Sequence, residues 1–150
     1  MPGSYSQIYI HIVFPVKGRS KLILQQWEER LYQYITGIVQ NRGQKLLAIN
    51  GMPDHIHILI GMKPSCCLSE LVREIKKSSN QFIKDNKLSK FRFNWVEGFG
   101  AFSYAHPQLT QVITYIKNQK RHHQVGTFEE EYVQFLKEFN IVYNEKYLFD

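Results

Sequence analysis

Between Met52 and Gly61 the chain reads MPDHIHILIG, and the alternation within that stretch leaves few choices of fold. Ile56, Ile58 and Ile60 fall on one side of an extended strand, and His55 and His57 fall on the other. A row of isoleucines needs a core beneath it, so the strand belongs to a sheet with a covered face. Two imidazoles then project from the opposite side, next-but-one neighbours less than about 7 Å apart at the usual strand rise. At that separation both rings can reach one metal ion or one phosphate. A His-x-His pair by itself is more often a pair of solvated side chains, so its meaning depends on what else the chain brings to that face.

The flanking segments supply the rest of a sheet. Gln7 to Val16 reads as a first strand, with Ile8, Ile10, Ile12 and Phe14 on one side and Tyr9, His11 and Val13 on the other. Leu24, Trp27, Leu31, Tyr34, Ile35 and Ile38 recur at helical spacing, with Gly43 as a stop and Tyr34 read as core. Lys45 to Asn50 is a short second strand, and Gly51-Met52-Pro53-Asp54 turns the chain into the histidine strand. A second helix buries Leu68, Leu71, Val72, Ile75 and Phe82 and carries Arg73, Lys76, Lys77 and Lys84 on its other side. Phe93 to Tyr104 is strand-like and aromatic, interrupted by Gly98 and Gly100, which mark a bulge or a close backbone approach.

This β-α-β-β-α-β order predicts an α+β fold, a ferredoxin-like or RRM-like sandwich with an antiparallel sheet and both helices on one face. The first and third strands are then central neighbours, and His11 shares a face with His55 and His57. That face is expected to be open. Two further helices are predicted: one over about residues 108–124, with Tyr115, Gln119 and His122 along one stripe, and one capped by Thr127-Phe128-Glu129-Glu130 with Tyr132, Phe135, Leu136 and Phe139 as its apolar side. No repeat or linker divides residues 1–150, so a single domain is expected.

Composition narrows the partner. At 43% hydrophobic and 14% aromatic the chain is that of a folded protein. Lysine and arginine exceed aspartate and glutamate by 19 − 13 = 6, which favours an anionic partner, nucleic acid before membrane. Lys17, Arg19 and Lys21 at the end of the first strand are the best candidates for phosphate contact, with His11, Arg73, Lys76 and Lys77 behind them. The only cysteines, Cys66 and Cys67, are adjacent and do not suit a secreted disulfide scaffold, and no leader pattern opens the chain. A cytoplasmic location is expected.

Two histidines, a tyrosine and a glutamine are residue types that suit phosphodiester transfer. A phenol ionises near pH 10 and is a poor nucleophile at neutral pH unless a metal or a base helps it lose its proton. A divalent ion held by two neutral imidazoles and the Gln119 amide oxygen would polarise the scissile phosphate and leave coordination positions open.

Pro53-Asp54-His55-Ile56-His57, Trp95 with the run Gly98 to Ser103, Tyr115-Ile116-Lys117-Asn118-Gln119 and His122-His123 together resemble the single-tyrosine HUH transposases of small insertion sequences and their relatives associated with repeated extragenic palindromes. The resemblance covers nearly the whole chain in the right order. It implies a homodimeric transposase acting on single-stranded DNA hairpins without ATP. By the same analogy His55, His57 and Gln119 bind Mg²⁺ or Mn²⁺, and Tyr115 attacks to leave a 5′-phosphotyrosine and a free 3′-OH. Two other readings compete: a non-catalytic single-strand nucleic-acid module that stacks bases on exposed strand aromatics such as Tyr9, and a metal-dependent hydrolase using water, for which Asp54 is the nearby acid in sequence.

Overall fold

The histidine-bearing stretch is the second strand in from one edge of a four-stranded sheet. In the computed structural model, which describes residues 4–122 and 126–148, β1 spans Tyr9–Pro15, β2 Lys45–Met52, β3 His55–Gly61 and β4 Gly100–Tyr104. All pairings are antiparallel, in the order β2-β3-β1-β4, which is the ferredoxin-like arrangement. α1 (Gln25–Asn41) and α2 (Leu68–Asp85) complete the βαββαβ unit. Register places Ile10, Ile12 and Phe14 opposite Ile60, Ile58 and Ile56, so the isoleucines of the two central strands share one face. Trp27, Leu31, Ile35 and Val39 of α1 and Leu71, Val72 and Ile75 of α2 pack on them. Each such side chain, fully buried, contributes roughly 1.5–3 kcal/mol. Tyr34 departs from its expected core position: it is 38% exposed and stacks on Phe82 of α2 with ring centres 4.2 Å apart.

The aromatic stretch before β4 is a strand only from Gly100 onward. Trp95 and Val96, neighbours in sequence, are both buried in the core of α1 and α2, and an alternating strand cannot turn two consecutive side chains to one side. The segment is tied down otherwise. Val16 and Trp95 form a single bridge, and the Trp95 indole donates to Ser79 Oγ at 2.9 Å. Lys76 Nζ donates to the carbonyls of Val96, Glu97 and Gly98 at 2.8, 3.2 and 2.6 Å.

The opposite face is covered, where the sequence reading expects it open. α3 (Leu109–Lys117) brings Val112 and Ile116 onto Ala48 and Leu59. α5 (Phe128–Glu138) brings Phe128, Tyr132, Phe135 and Leu136 onto Val13 and Phe102. Val13, Leu59 and Phe102 sit on the histidine side and would lie in water without these helices. His11, His55 and His57 are in consequence 0% exposed. Gly100 admits α5 to this position, because a Cβ there would lie 2.7 Å from a Tyr132 ring carbon. Among the described residues, no helix is long and apolar enough to cross a membrane.

Candidate functional site

Each strand histidine is held by one ring nitrogen and aims the other inward. His55 Nδ1 donates to Asp54 Oδ1 at 2.7 Å, and its Nε2 lies 3.3 Å from Gln119 Oε1 and 3.4 Å from Glu131 Oε1. Burial pulls this imidazole down, but its bonds to Asp54 and Glu131 outweigh that and hold it above its ordinary value. His57 Nδ1 lies 2.7 Å from His11 Nε2, and its Nε2 lies 3.0 Å from Glu131 Oε1. Burial, with His57 alongside, keeps the His11 imidazole well below its ordinary value.

Glu131 is the member that the sequence reading missed. One carboxylate oxygen, Oε1, faces the two imidazoles. The other, Oε2, accepts a hydrogen bond from the Tyr115 hydroxyl and one from Gln119 Nε2 at 3.2 Å. Tyr115 thus reaches the histidines of its own chain, its ring 5.9 Å from that of His57. Burial first, and then the charge of Glu131, push the phenol well above its ordinary value. A signal for Glu131 exists in the sequence. It falls three residues after Phe128 and four before Phe135, so a carboxylate occupies the seam that α5 buries. The start of α5 is the capping box predicted for it: Thr127 Oγ1 accepts from the Glu130 backbone N–H at 3.2 Å.

Tyr115 and Gln119 arrive by a route different from the single helix predicted over residues 108–124. α3 stops at Lys117, Asn118 leaves the helical region, and α4 (Gln119–His122) begins anew. β2 enforces the break. Asn50 Nδ2 donates to the carbonyls of Ile116 and Lys117 at 3.0 and 3.1 Å, and Lys120 Nζ donates to the Gly51 carbonyl at 2.6 Å. The new start turns the Gln119 side chain into the site, where it is 0% exposed. His122 ends α4, and His123 lies outside the described residues.

The basic candidates divide. Lys17, Arg19 and Lys21 are exposed beyond the end of β1, with Arg19 paired to Glu129 at 3.0 Å. Arg73 and Lys77 are exposed on α2, on the sheet face away from the histidines. Lys76 is turned inward on its three carbonyls, with its ammonium also 5.0 Å from the Phe14 ring centre, and burial pushes it down to about 8 despite Glu97. His11, expected beside phosphate, is sealed under α5 with its ring edge-on to Phe135. Neither Lys76 nor His11 presents its polar group to a DNA backbone. A cavity of about 580 Å³ between α3 and α5 opens onto Tyr115 and Glu131, bordered by Tyr104, Gln111 and Gln134.

The donor set fits a divalent cation. One ligand atom each from His55, His57 and Glu131 lie within 4.8 Å of one another, and Gln119 Oε1 stands beside them. Two imidazoles with one carboxylate leave coordination positions open, as a catalytic site requires.

A ferredoxin-like sheet thus carries a histidine pair, and the helices over the same face add a tyrosine, a glutamine and an acid. Residues 4–119 match the family described as transposase IS200 like, and the chain belongs to that family. It is 21% identical over 122 residues to the ISDra2 transposase TnpA of Deinococcus radiodurans, covering 78% of this chain and 87% of that protein. Its fold is similar to that of a candidate transposase from Deinococcus radiodurans R1, with a TM-score of 0.64, 20% identity and coverage of 79% of this chain and 95% of the other. It is also similar to a REP-associated tyrosine transposase solved bound to a REP hairpin, with a TM-score of 0.61, 18% identity and coverage of 82% and 73%.

Proposed function

We propose that this transposase cleaves and rejoins single-stranded DNA at hairpin-bearing ends, with Tyr115 as nucleophile and a divalent cation, Mg²⁺ or Mn²⁺, held by His55, His57 and Gln119. Glu131 joins that ligand set, and a mixture of imidazole and oxygen donors suits Mn²⁺ better than Mg²⁺, which prefers oxygen alone. The observation that carries the reading is the convergence of Tyr115, Gln119, His55 and His57 on one carboxylate.

In this reaction the Tyr115 oxygen forms a bond to phosphorus and the bond to the 3′ oxygen breaks. The products are a 5′-phosphotyrosine and a free 3′-OH. A 3′-OH from a second DNA end then displaces the tyrosine, so one ester replaces another and no ATP is consumed. Glu131 Oε2 is the acceptor facing the phenol proton, and Gln119 Nε2 steadies that oxygen. A bound divalent cation supplies charge withdrawal from the scissile phosphate and support for the departing oxygen. Lys17, Arg19 and Lys21 flank the approach to His55, and Arg73 and Lys77 hold the backbone of the hairpin. The hairpin-bound relative supports that choice of ligand. The reading extends to a cytoplasmic homodimer built from one domain spanning residues 1–150.

The test is a denaturing gel of the protein incubated with labelled single-stranded hairpin DNA and Mn²⁺. A covalent protein–DNA band is expected, absent with chelator and absent in Tyr115→Phe. One alternative has an observation in its favour: Glu131 supplies the buried base that a water-using hydrolase needs. Turnover that survives in Tyr115→Phe and is lost in Glu131→Gln would favour it. The base-stacking module is disfavoured, because α3 and α5 cover the face it would use.

A further inference from the structure

His11 lies on β1, across the central pair of strands from His57, and the proposed chemistry leaves it without a part. The two site histidines are backed differently. His55 has a carboxylate behind it, Asp54 Oδ1 at 2.7 Å from Nδ1, whereas His57 has an uncharged ring, His11 Nε2 at the same 2.7 Å from Nδ1. His11 is fully buried, stacks on His57 with ring centres 5.0 Å apart, and is enclosed by Phe102, Tyr104 and Phe135. Its other nitrogen, Nδ1, is buried with no hydrogen-bond partner among the described residues. An unpaired buried donor or acceptor costs about 1–3 kcal/mol. A leucine of similar volume would avoid that cost, so packing alone does not account for a histidine here.

We propose that His11 is a positioning residue for the cation site, holding the His57 ring through the Nε2–Nδ1 bond so that His57 Nε2 stays aimed at Glu131 and the metal position. A ring that commits Nε2 to a cation carries its proton on Nδ1, and that proton needs an acceptor to fix the ring's rotation. His11 Nε2 stands where the acceptor is required, in a pocket that admits no competing solvent. An imidazole with a vacant second nitrogen also serves when His57 Nε2 faces Glu131 alone, because it can then donate to Nδ1 instead. A carboxylate can only accept. His11 therefore keeps the ring in one orientation with and without metal.

The inference rests on the reading that His57 holds the cation, and the experiment separates the two. Mn²⁺ affinity is measured by calorimetry on wild type, His57→Ala, His11→Leu and His11→Gln, with thermal melts run alongside. Wild-type binding that is lost in His57→Ala supports the metal reading, and binding unchanged in His57→Ala overturns both. His11→Leu is expected to weaken Mn²⁺ by about 10–100-fold. His11→Gln, which keeps a group able to accept or donate, is expected to recover most of that loss. Wild-type affinity in a folded His11→Leu overturns the role of His11 while leaving the metal site standing. The wild-type protein gives a readout that needs no variant: a nitrogen–nitrogen coupling across the hydrogen bond between His57 Nδ1 and His11 Nε2 in ¹⁵N NMR. Its presence supports the bond, and its absence with both rings assigned overturns it.

Discussion

Glu131 places one carboxylate between a phenol and two imidazoles. Burial and then its charge raise the Tyr115 phenol, and against the pull of burial it raises His55 together with Asp54. His55 is raised above its ordinary value of 6.5, so in the metal-free protein its protonated form is stabilised by folding. That contribution is complete below the unfolded value and is lost as the pH rises through the folded one. Thermal stability in the presence of chelator is therefore expected to fall as the pH rises above about 6.5, and Glu131→Gln is expected to flatten the dependence. A wild-type profile that rises over that window would contradict the assignment. Mn²⁺ binding is expected to follow the opposite course, because a cation on His55 would have to displace its proton. Affinity measured by calorimetry is expected to increase over the same interval. Tyr115→Phe removes a donor to Glu131 and is expected to cost about 1–2 kcal/mol in chemical denaturation while leaving Mn²⁺ bound.

At the scale of elements, the break between α3 and α4 positions the site. Asn50 on β2 holds the last carbonyls of α3, and Gln119 is the first residue beyond the break. Asn50→Ala is expected to lower stability by about 1–2 kcal/mol, read from urea unfolding, and to reduce cleavage by a larger factor than the stability loss explains. Gly100→Ala drives a methyl group into Tyr132 and is expected to cost about 1–3 kcal/mol by loosening α5. These two contacts also mark where sequence reasoning ends. The βαββαβ order was legible because each strand and helix declares its buried side through its own local period, as Ile56, Ile58 and Ile60 do. The helix break was not, since the Asn50 side chain that holds its carbonyls lies 66 and 67 residues away from them in sequence. The covering of the histidine face hid behind Val13, Leu59 and Phe102, which each look unremarkable alone. Within the candidate site, His55, His57, Tyr115 and Gln119 can be named from residue type and order, whereas Glu131, directly after the Thr127-to-Glu130 cap, reads as one more acid in a helix's first turn.

For the whole molecule, the sheet separates two kinds of surface. The histidine face is closed by α3 and α5 over a buried cluster of site residues, while Arg73 and Lys77 lie on the far side with α2. DNA that engages both must pass around the sheet, and Lys17, Arg19 and Lys21 lie where β1 ends near Asp54: the Val16 backbone N–H donates to the Asp54 carbonyl and that of Lys17 to the Asn94 carbonyl, both at 2.8 Å. Arg73→Ala or Lys77→Ala is expected to lower the salt slope of single-strand binding by about 0.7 each, while Lys76→Ala is expected to destabilise the fold without changing the slope. In the proposed reaction the Tyr115 oxygen is the one joined to DNA, and peptide mapping of the covalent complex locates that bond. After reaction with a single-stranded hairpin and Mn²⁺, nuclease trimming and proteolysis, the residual nucleotide is predicted to sit on Tyr115 by tandem mass spectrometry. A nucleotide on Tyr104 of the same tryptic peptide, or cleaved DNA with no modified peptide at all, would overturn Tyr115 as the nucleophile.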